Sequence, residues 1–371
     1  YLRSVPMVLA VELARVHTGD QLVSKMVNRI VQRADEITEL LAYYQAANRR
    51  EGIKKLGKLS KQIQKGLGLA FNKFDEYQFA KYNRETEVKL RDALFLVHPK
   101  AKDEAQQVLF NKIVNDELQV PYTWEVELSV LGQQIFTDEA ARKVAVKAKW
   151  EELLDTRLPD GQGGKLGYMA LLRNLRNILQ ADVSHAHAKR VAERLANERE
   201  VAKSKQLPFR FLAAYRELKG VTSIYTSLML NALEVAVKVS AANITGFDAN
   251  TKVLLACDVS GSMQTFISPK SKIQNYDIGL ILAMLLQSRS QAVISGFFGD
   301  TWKAVNLPGG NILANAEELR RREGEVGYST NGHLVIKDLI DKRLVMDKVM
   351  FFTDCQLWNS TGTGETLAKL W

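Results

Sequence analysis

The stretch 252–263, KVLLACDVSGSM, constrains this chain more than any other. A short run of apolar residues without polar alternation predicts a strand buried on both faces, as in a parallel sheet covered by helices. The run ends in Asp258, followed by Ser260 and Ser262 at alternate positions. One carboxylate and two hydroxyls spaced two apart on a turn can converge on a hard divalent cation. An all-oxygen donor set of this kind suits Mg²⁺, which keeps several waters and takes only one or two carboxylates. The competing reading is a strand-to-helix loop in which Ser260 or Ser262 caps a helix.

Two later stretches bear on that choice. The loop GYSTNG, residues 327–332, places Thr330 ahead of a helical pattern over 334–342. A second apolar run, 348–352, leads to Thr353 and Asp354. Ligands of open α/β sheets sit beyond the carboxyl ends of the strands, and Asp258 and Asp354 both fall there. Asp258, Ser260, Ser262, Thr330 and Asp354, in this order, resemble the metal-ion-dependent adhesion site of von Willebrand factor A domains. That resemblance implies a Rossmann-like α/β domain over residues 250–371. It also implies Mg²⁺ or another divalent cation held by the three hydroxyls, with the two aspartates acting mostly through water. Such a site docks an incoming carboxylate, and nothing in the motif supplies a general base, so the expectation is not an enzyme.

Residues 6–242 read differently. Apolar positions recur at three- and four-residue spacings, as at Leu22, Met26, Val27, Ile30 and Val31, and long strand-like alternation is absent. Successive short helices of this kind suggest a HEAT-like or armadillo-like repeat array over residues 1–245, although no repeat of fixed period stands out. Residues 244–250, ITGFDAN, read as the hinge between the two domains. Residues 161–164, GQGG, read as an exposed loop. The two cysteines, Cys257 and Cys355, are too few for a disulfide scaffold. No apolar run approaches the roughly 18 residues of a membrane span. The expectation is a cytoplasmic protein that makes no use of a membrane.

Charge is shared unevenly. Residues 251–371 hold 13 Lys/Arg and 12 Asp/Glu, against 38 and 30 in residues 1–250, so the net charge of +9 lies almost wholly in the helical part. Within residues 48–73, eight basic residues face one acid, Glu51. On one helix Lys54, Lys58, Lys61 and Lys65 would share a face, opposite a stripe of Leu56, Leu59, Ile63 and Leu67. That face is either a polyanion site or a solvated lysine surface. Downstream, Lys81, Tyr82, Arg84, Arg91 and His98 interleave cations with rings, a pattern that suits single-stranded RNA, where phosphates need cations and bases need stacking planes.

The run over residues 54–100 is similar to the signature region of the TROVE-module family, that of the Ro autoantigen and its bacterial orthologues. Further matches are WEELL at 150–154, YMALLRNL at 168–175 and LPFRFLAAY at 207–215. The resemblance implies a monomeric ring of helical repeats closed against the A domain, with both domains extending beyond this sequence. It implies binding of Y-like small noncoding RNA on a basic outer face, and of single-stranded 3′ ends of misfolded RNA in a central hole. A role in RNA quality control follows, with room for an exoribonuclease tethered through RNA. Lys81, Arg84 and His98 match RNA-contacting positions of the family, while Arg91 and Arg173 are added from charge and motif. The alternative is a Mg²⁺-dependent protein-interaction module that grips an acidic side chain, with the helices as a second protein platform.

Overall fold

In the computed structural model, described over residues 4–48, 59–83, 86–155, 166–241, 250–269, 271–290, 292–357 and 367–370, the chain divides by packing after Val130. The first unit holds α1 (Ser4–Val16), α2 (Leu22–Ile30), α3 (Asp35–Ala47), α4 (Lys61–Phe71), α5 (Glu76–Tyr82), α6 (Leu90–Val97) and α7 (Glu104–Asn115). The amphipathic spacing read from the sequence puts Val23, Val27, Ile37, Leu41, Ile63, Leu67 and Phe71 into one buried core. α5 starts with a reciprocal cap: Gln78 N–H donates to Asp75 at 2.7 Å, and Asp75 N–H donates to the Gln78 side chain at 3.0 Å.

α2 and α4 approach closely at Gly66, where a Cβ would lie 2.6 Å from Val27 Cβ and 2.7 Å from the Ser24 carbonyl oxygen. Alanine has the better helix propensity by roughly 1 kcal/mol. Overpacking against backbone outweighs it, so Gly66→Ala destabilises by a net of about 1–3 kcal/mol. Urea unfolding of the full chain measures this, and a stabilised variant would mean the helices part freely.

The lysine-rich segment departs from expectation. Ser60 (φ −55°, ψ 128°) is not helical, and α4 begins only at Lys61. One continuous helix carrying Lys54, Lys58, Lys61 and Lys65 on a single face is therefore interrupted at residues 59–60. Lys54 and Lys58 lie outside the described residues, as do Arg84, residues 161–164 and residues 244–249 of the hinge. Lys73, counted with the basic segment, donates to the carbonyls of Asn28 and Val31, the latter at 2.9 Å. It serves the C-terminus of α2, a favourable place for a cation.

α8 (Trp124–Gly132) spans the division, and the second unit continues with α9 (Glu139–Asp155), α10 (Tyr168–Gln180), α11 (His185–Ala196), α12 (Glu198–Ser204), α13 (Pro208–Lys219) and α14 (Thr226–Ser240). Then come β1 (Val253–Asp258), α15 (Asn275–Gln287), β2 (Val293–Phe298), β3 (Trp302–Val305), α16 (Ile312–Arg321), α17 (His333–Asp341), β4 (Lys348–Phe352) and α18 (Leu367–Leu370). The sheet order is β3-β2-β1-β4, with β1 parallel to β2 and β4, and β3 antiparallel to β2. All six residues of β1 are buried, as its unbroken apolar run requires. On one face Leu254, Ala256 and Phe298 pack with Val335, Ile336 and Leu339 of α17. Close to the sheet runs α15, whose Gly279 would bring a Cβ to 2.9 Å from Phe352 Cβ.

Within this second unit the helices grip the sheet region through charge. Arg216 of α13 donates to both oxygens of Asp277 in α15, at 2.7 and 2.6 Å, and to Glu317 of α16 at 2.6 Å. Glu234 of α14 accepts from the Leu313 and Ala314 N–H groups at 3.1 and 2.9 Å, capping α16 from another helix. Among the described residues no helix is long and apolar enough to cross a membrane.

Candidate metal centre and nucleic-acid interface

β1 lies between the parallel strands β2 and β4, so the loops after all three strands emerge at the same edge of the sheet, the edge where ligands of such sheets bind. Asp258 ends β1 and is fully buried. Its Oδ1 accepts from Ser260 N–H at 2.9 Å, and its Oδ2 from the Thr353 hydroxyl at 2.6 Å. The Ser260 and Ser262 hydroxyls lie 3.3 Å apart on the turn that follows. Asp354 is exposed beyond β4, with Oδ1 accepting from Gln356 N–H at 3.1 Å.

Thr330 reaches the same edge on a loop held from two sides. Gly261 N–H donates to the Tyr328 carbonyl at 3.2 Å, which ties this loop to the one bearing Ser260 and Ser262. Asp300, at the tip between β2 and β3, accepts from Ser329 N–H at 2.9 Å, and its carbonyl accepts from the Asn331 side chain at 3.2 Å. Gly327 has φ +73°, and a Cβ there would sit 2.1 Å from Asp300 Oδ2, so this turn needs glycine. The Ser329 hydroxyl first, and then the Ser329 and Tyr328 backbone, hold the Asp300 carboxyl below its ordinary range. A depressed carboxylate contributes stability above its unfolded value of about 3.9 and loses it as pH falls through the lower folded value. The Ser329 amide resonance is accordingly constant from neutral pH down to about 4 and shifts below it. A midpoint above 4 would contradict the anchor.

The residues fit a hard cation. Thr330 Oγ1 is buried with no hydrogen-bond partner, an orphan that a bound ion would satisfy. Among the described residues no three His, Cys, Asp or Glu side chains gather as a metal cage, so a cation here has to take hydroxyl oxygens. Burial, and then the Asp258 charge, push the Cys257 thiol up, which keeps it protonated and unsuited to act as a ligand. Cys257 and Cys355 are both free. Asp300 and Thr353 lie outside the five-residue motif, so its spacing does not mark them. The signal for Thr353 was its place as the last hydroxyl before Asp354.

α6 and its C-terminal cap carry two of the sequence-predicted residues, Arg91 and His98. Arg91, Phe95 and His98 recur at i, i+4 and i+7 and are all exposed, Phe95 to 48%. The Arg91 guanidinium lies 5.8 Å from the Phe95 ring centroid. His98 ends the helix in a left-handed conformation, φ 48°. Gln64 of α4 donates to the Val97 carbonyl at 3.2 Å, and Asn72, just past the end of α4, donates to the Lys100 carbonyl at 2.9 Å. The seam between α4 and residues 96–102 thus brings Lys61, whose Nζ lies 3.4 Å from Gln64 Oε1, to the same edge as His98. Lys65 is exposed on α4 one residue further on.

On α5, Lys81 Nζ lies 5.6 Å from the Tyr77 ring and 5.8 Å from the Tyr82 ring. Arg33, from the turn before α3, stacks 4.4 Å from the Tyr82 centroid while paired to Asp35. Arg173 is exposed on α10, in the second unit. Phe95 and Arg33 were not anticipated. The i, i+4, i+7 spacing would have revealed Phe95, whereas Arg33 is distant in sequence from Tyr82.

An array of packed helices followed by a small mixed α/β sheet is the architecture of the described residues. The family model for the TROVE domain matches residues 4–127 and 116–222, and the chain belongs to the TROVE domain family. Telomerase protein component 1 of Rattus norvegicus is 41% identical over 102 residues, covering 28% of this chain and 3% of that protein. Its Mus musculus counterpart is 42% identical over 99 residues, covering 27% and 3%. The chain therefore spans only a small part of these relatives. The crystal structure of the Deinococcus radiodurans RO (RSR) protein superposes with a TM-score of 0.61 at 20% identity, over 96% of this chain and 75% of that one. The fold is Ro-like.

Proposed function

We propose that this TROVE-family chain is an RNA-binding, Ro-like scaffold without catalysis of its own, working in noncoding-RNA quality control. It takes Y-like small structured RNA on the basic face of its first unit, and single-stranded 3′ ends of misfolded RNA at a further site. The observation that carries this reading is the exposed stripe Arg91–Phe95–His98 with Lys61 at its edge. Cations and imidazole meet phosphates while the open ring offers a base a stacking plane. The tyrosines flanking Lys81 repeat the pairing on α5.

The second unit supplies a docking centre. Asp258, Ser260, Ser262, Thr330 and Asp354 would hold Mg²⁺, which when bound supplies a positive centre for an acidic group of a partner. The resemblance to A domains and the orphaned Thr330 hydroxyl support that assignment. Purified full chain titrated with a labelled hairpin RNA carrying a single-stranded 3′ tail tests the RNA reading. Saturable binding at low salt is expected, and no binding there overturns it.

A further inference from the structure

Asp258 is the one member of the proposed metal motif whose carboxylate is completely enclosed, so something in the protein has to fix its orientation. Each of its oxygens receives one donor, the Ser260 N–H on Oδ1 and the Thr353 hydroxyl on Oδ2. The first comes from the motif's own turn. The second comes from β4's end, 95 residues away in sequence, and its 2.6 Å length is that of a charge-assisted bond.

Thr353 is itself held. Cys355 N–H donates to Thr353 Oγ1 at 3.2 Å, so that oxygen acts as acceptor there and has its single proton left for Asp258. Cys355 adopts φ +67°, a left-handed conformation that turns the chain sharply just past β4. Asp354 makes the same two-residue turn with Gln356 N–H. The end of β4 is thereby folded into successive side-chain-capped turns that leave Asp354 outward and Thr353 inward.

We infer that Thr353 is a positioning residue for the metal centre, orienting the Asp258 carboxylate through its hydroxyl rather than contacting the ion. This rests on the metal reading given above. Partners that orient a metal-ligating carboxylate typically govern affinity by about 10–100-fold. The methyl group of threonine has no part in this, so serine retains the function and valine does not.

The test uses the full chain freed of metal with EDTA, Mg²⁺ titrated by calorimetry and Mn²⁺ by its electron paramagnetic resonance signal. Wild type is expected to bind one ion and Asp258→Ala none. Thr353→Val binds about 10–100-fold more weakly, and Thr353→Ser restores the affinity. Leu339→Ala, which loosens the same sheet from α17 without touching Asp258, keeps wild-type affinity. Thr353→Ala replaces the valine variant if that one fails to fold. A valine or alanine variant that binds as tightly as wild type, while Asp258→Ala does not bind, overturns the inference and leaves the metal reading standing. Equal loss in Leu339→Ala overturns it as well, by showing a general effect of stability. A wild-type chain that binds neither ion overturns the metal reading itself.

Discussion

Replacing Arg216 with alanine destabilises the second unit by about 3–5 kcal/mol, the cost of removing one partner from a buried ion pair. Arg216 is only 9% exposed and Asp277 is fully buried. Burial works against the Arg216 charge, but hydrogen bonds and attraction from Asp277 and then Glu317 outweigh it and raise its pKa. Without the guanidinium, Asp277 keeps its bond from Gln274 N–H at 2.8 Å and loses its counter-charge. For a unit of this size the melting temperature falls by roughly 6–20 °C. Arg216→Lys recovers part of this, because one ammonium cannot reproduce a forked contact with Asp277 while also meeting Glu317. A double-mutant cycle with Asp277→Ala isolates the coupling. A loss below about 1 kcal/mol would be that of a solvated surface pair, and would remove this cluster as the clasp between helices and sheet.

On the proposed RNA reading, affinity is expected to fall steeply with salt. A face that neutralises 6–10 phosphates loses about 10³–10⁵ in affinity between 50 and 200 mM salt through counterion release. Each phosphate-contacting cation accounts for about 0.7 of the logarithmic slope on a single strand and about 0.9 on a duplex. Variants separate the electrostatic and stacking parts of the proposed interface. Lys61→Ala, Lys65→Ala and Arg91→Ala each flatten the slope, whereas Phe95→Ala weakens binding by about 1–3 kcal/mol, the worth of one stacked base, and leaves the slope intact. Fluorescence anisotropy with the 3′-tailed hairpin at four salt concentrations gives both quantities. A flat salt dependence, or a slope unmoved by all three cation variants, would mean that this surface is merely hydrated.

The local pattern of the chain was enough for much of the sheet region. The apolar run ending at Asp258 is β1, the run over 348–352 is β4, and the helix after the Thr330 loop begins at His333, one residue from where the pattern puts it. Such features are set by neighbours along the chain, through burial period and turn chemistry. The lysine segment shows the limit of that logic. Its spacing allows one helix from Lys54 to Lys65, but Ser60 is not helical, and Lys73 serves the C-terminus of α2, a contact between elements that spacing does not show.

By itself, then, the amino-acid order determined the two kinds of architecture and the concentration of positive charge in the helical part. Tertiary structure decided which groups act together. Thr353 is 95 residues from the carboxylate to which it donates, Asp277 is 61 from the guanidinium that neutralises it, and Gln64 is 33 from the carbonyl that ties α4 to the end of α6. Periodicity is a property of one element at a time. Hydrogen bonds and ion pairs between elements depend on how those elements are laid against one another, and only the folded chain supplies that.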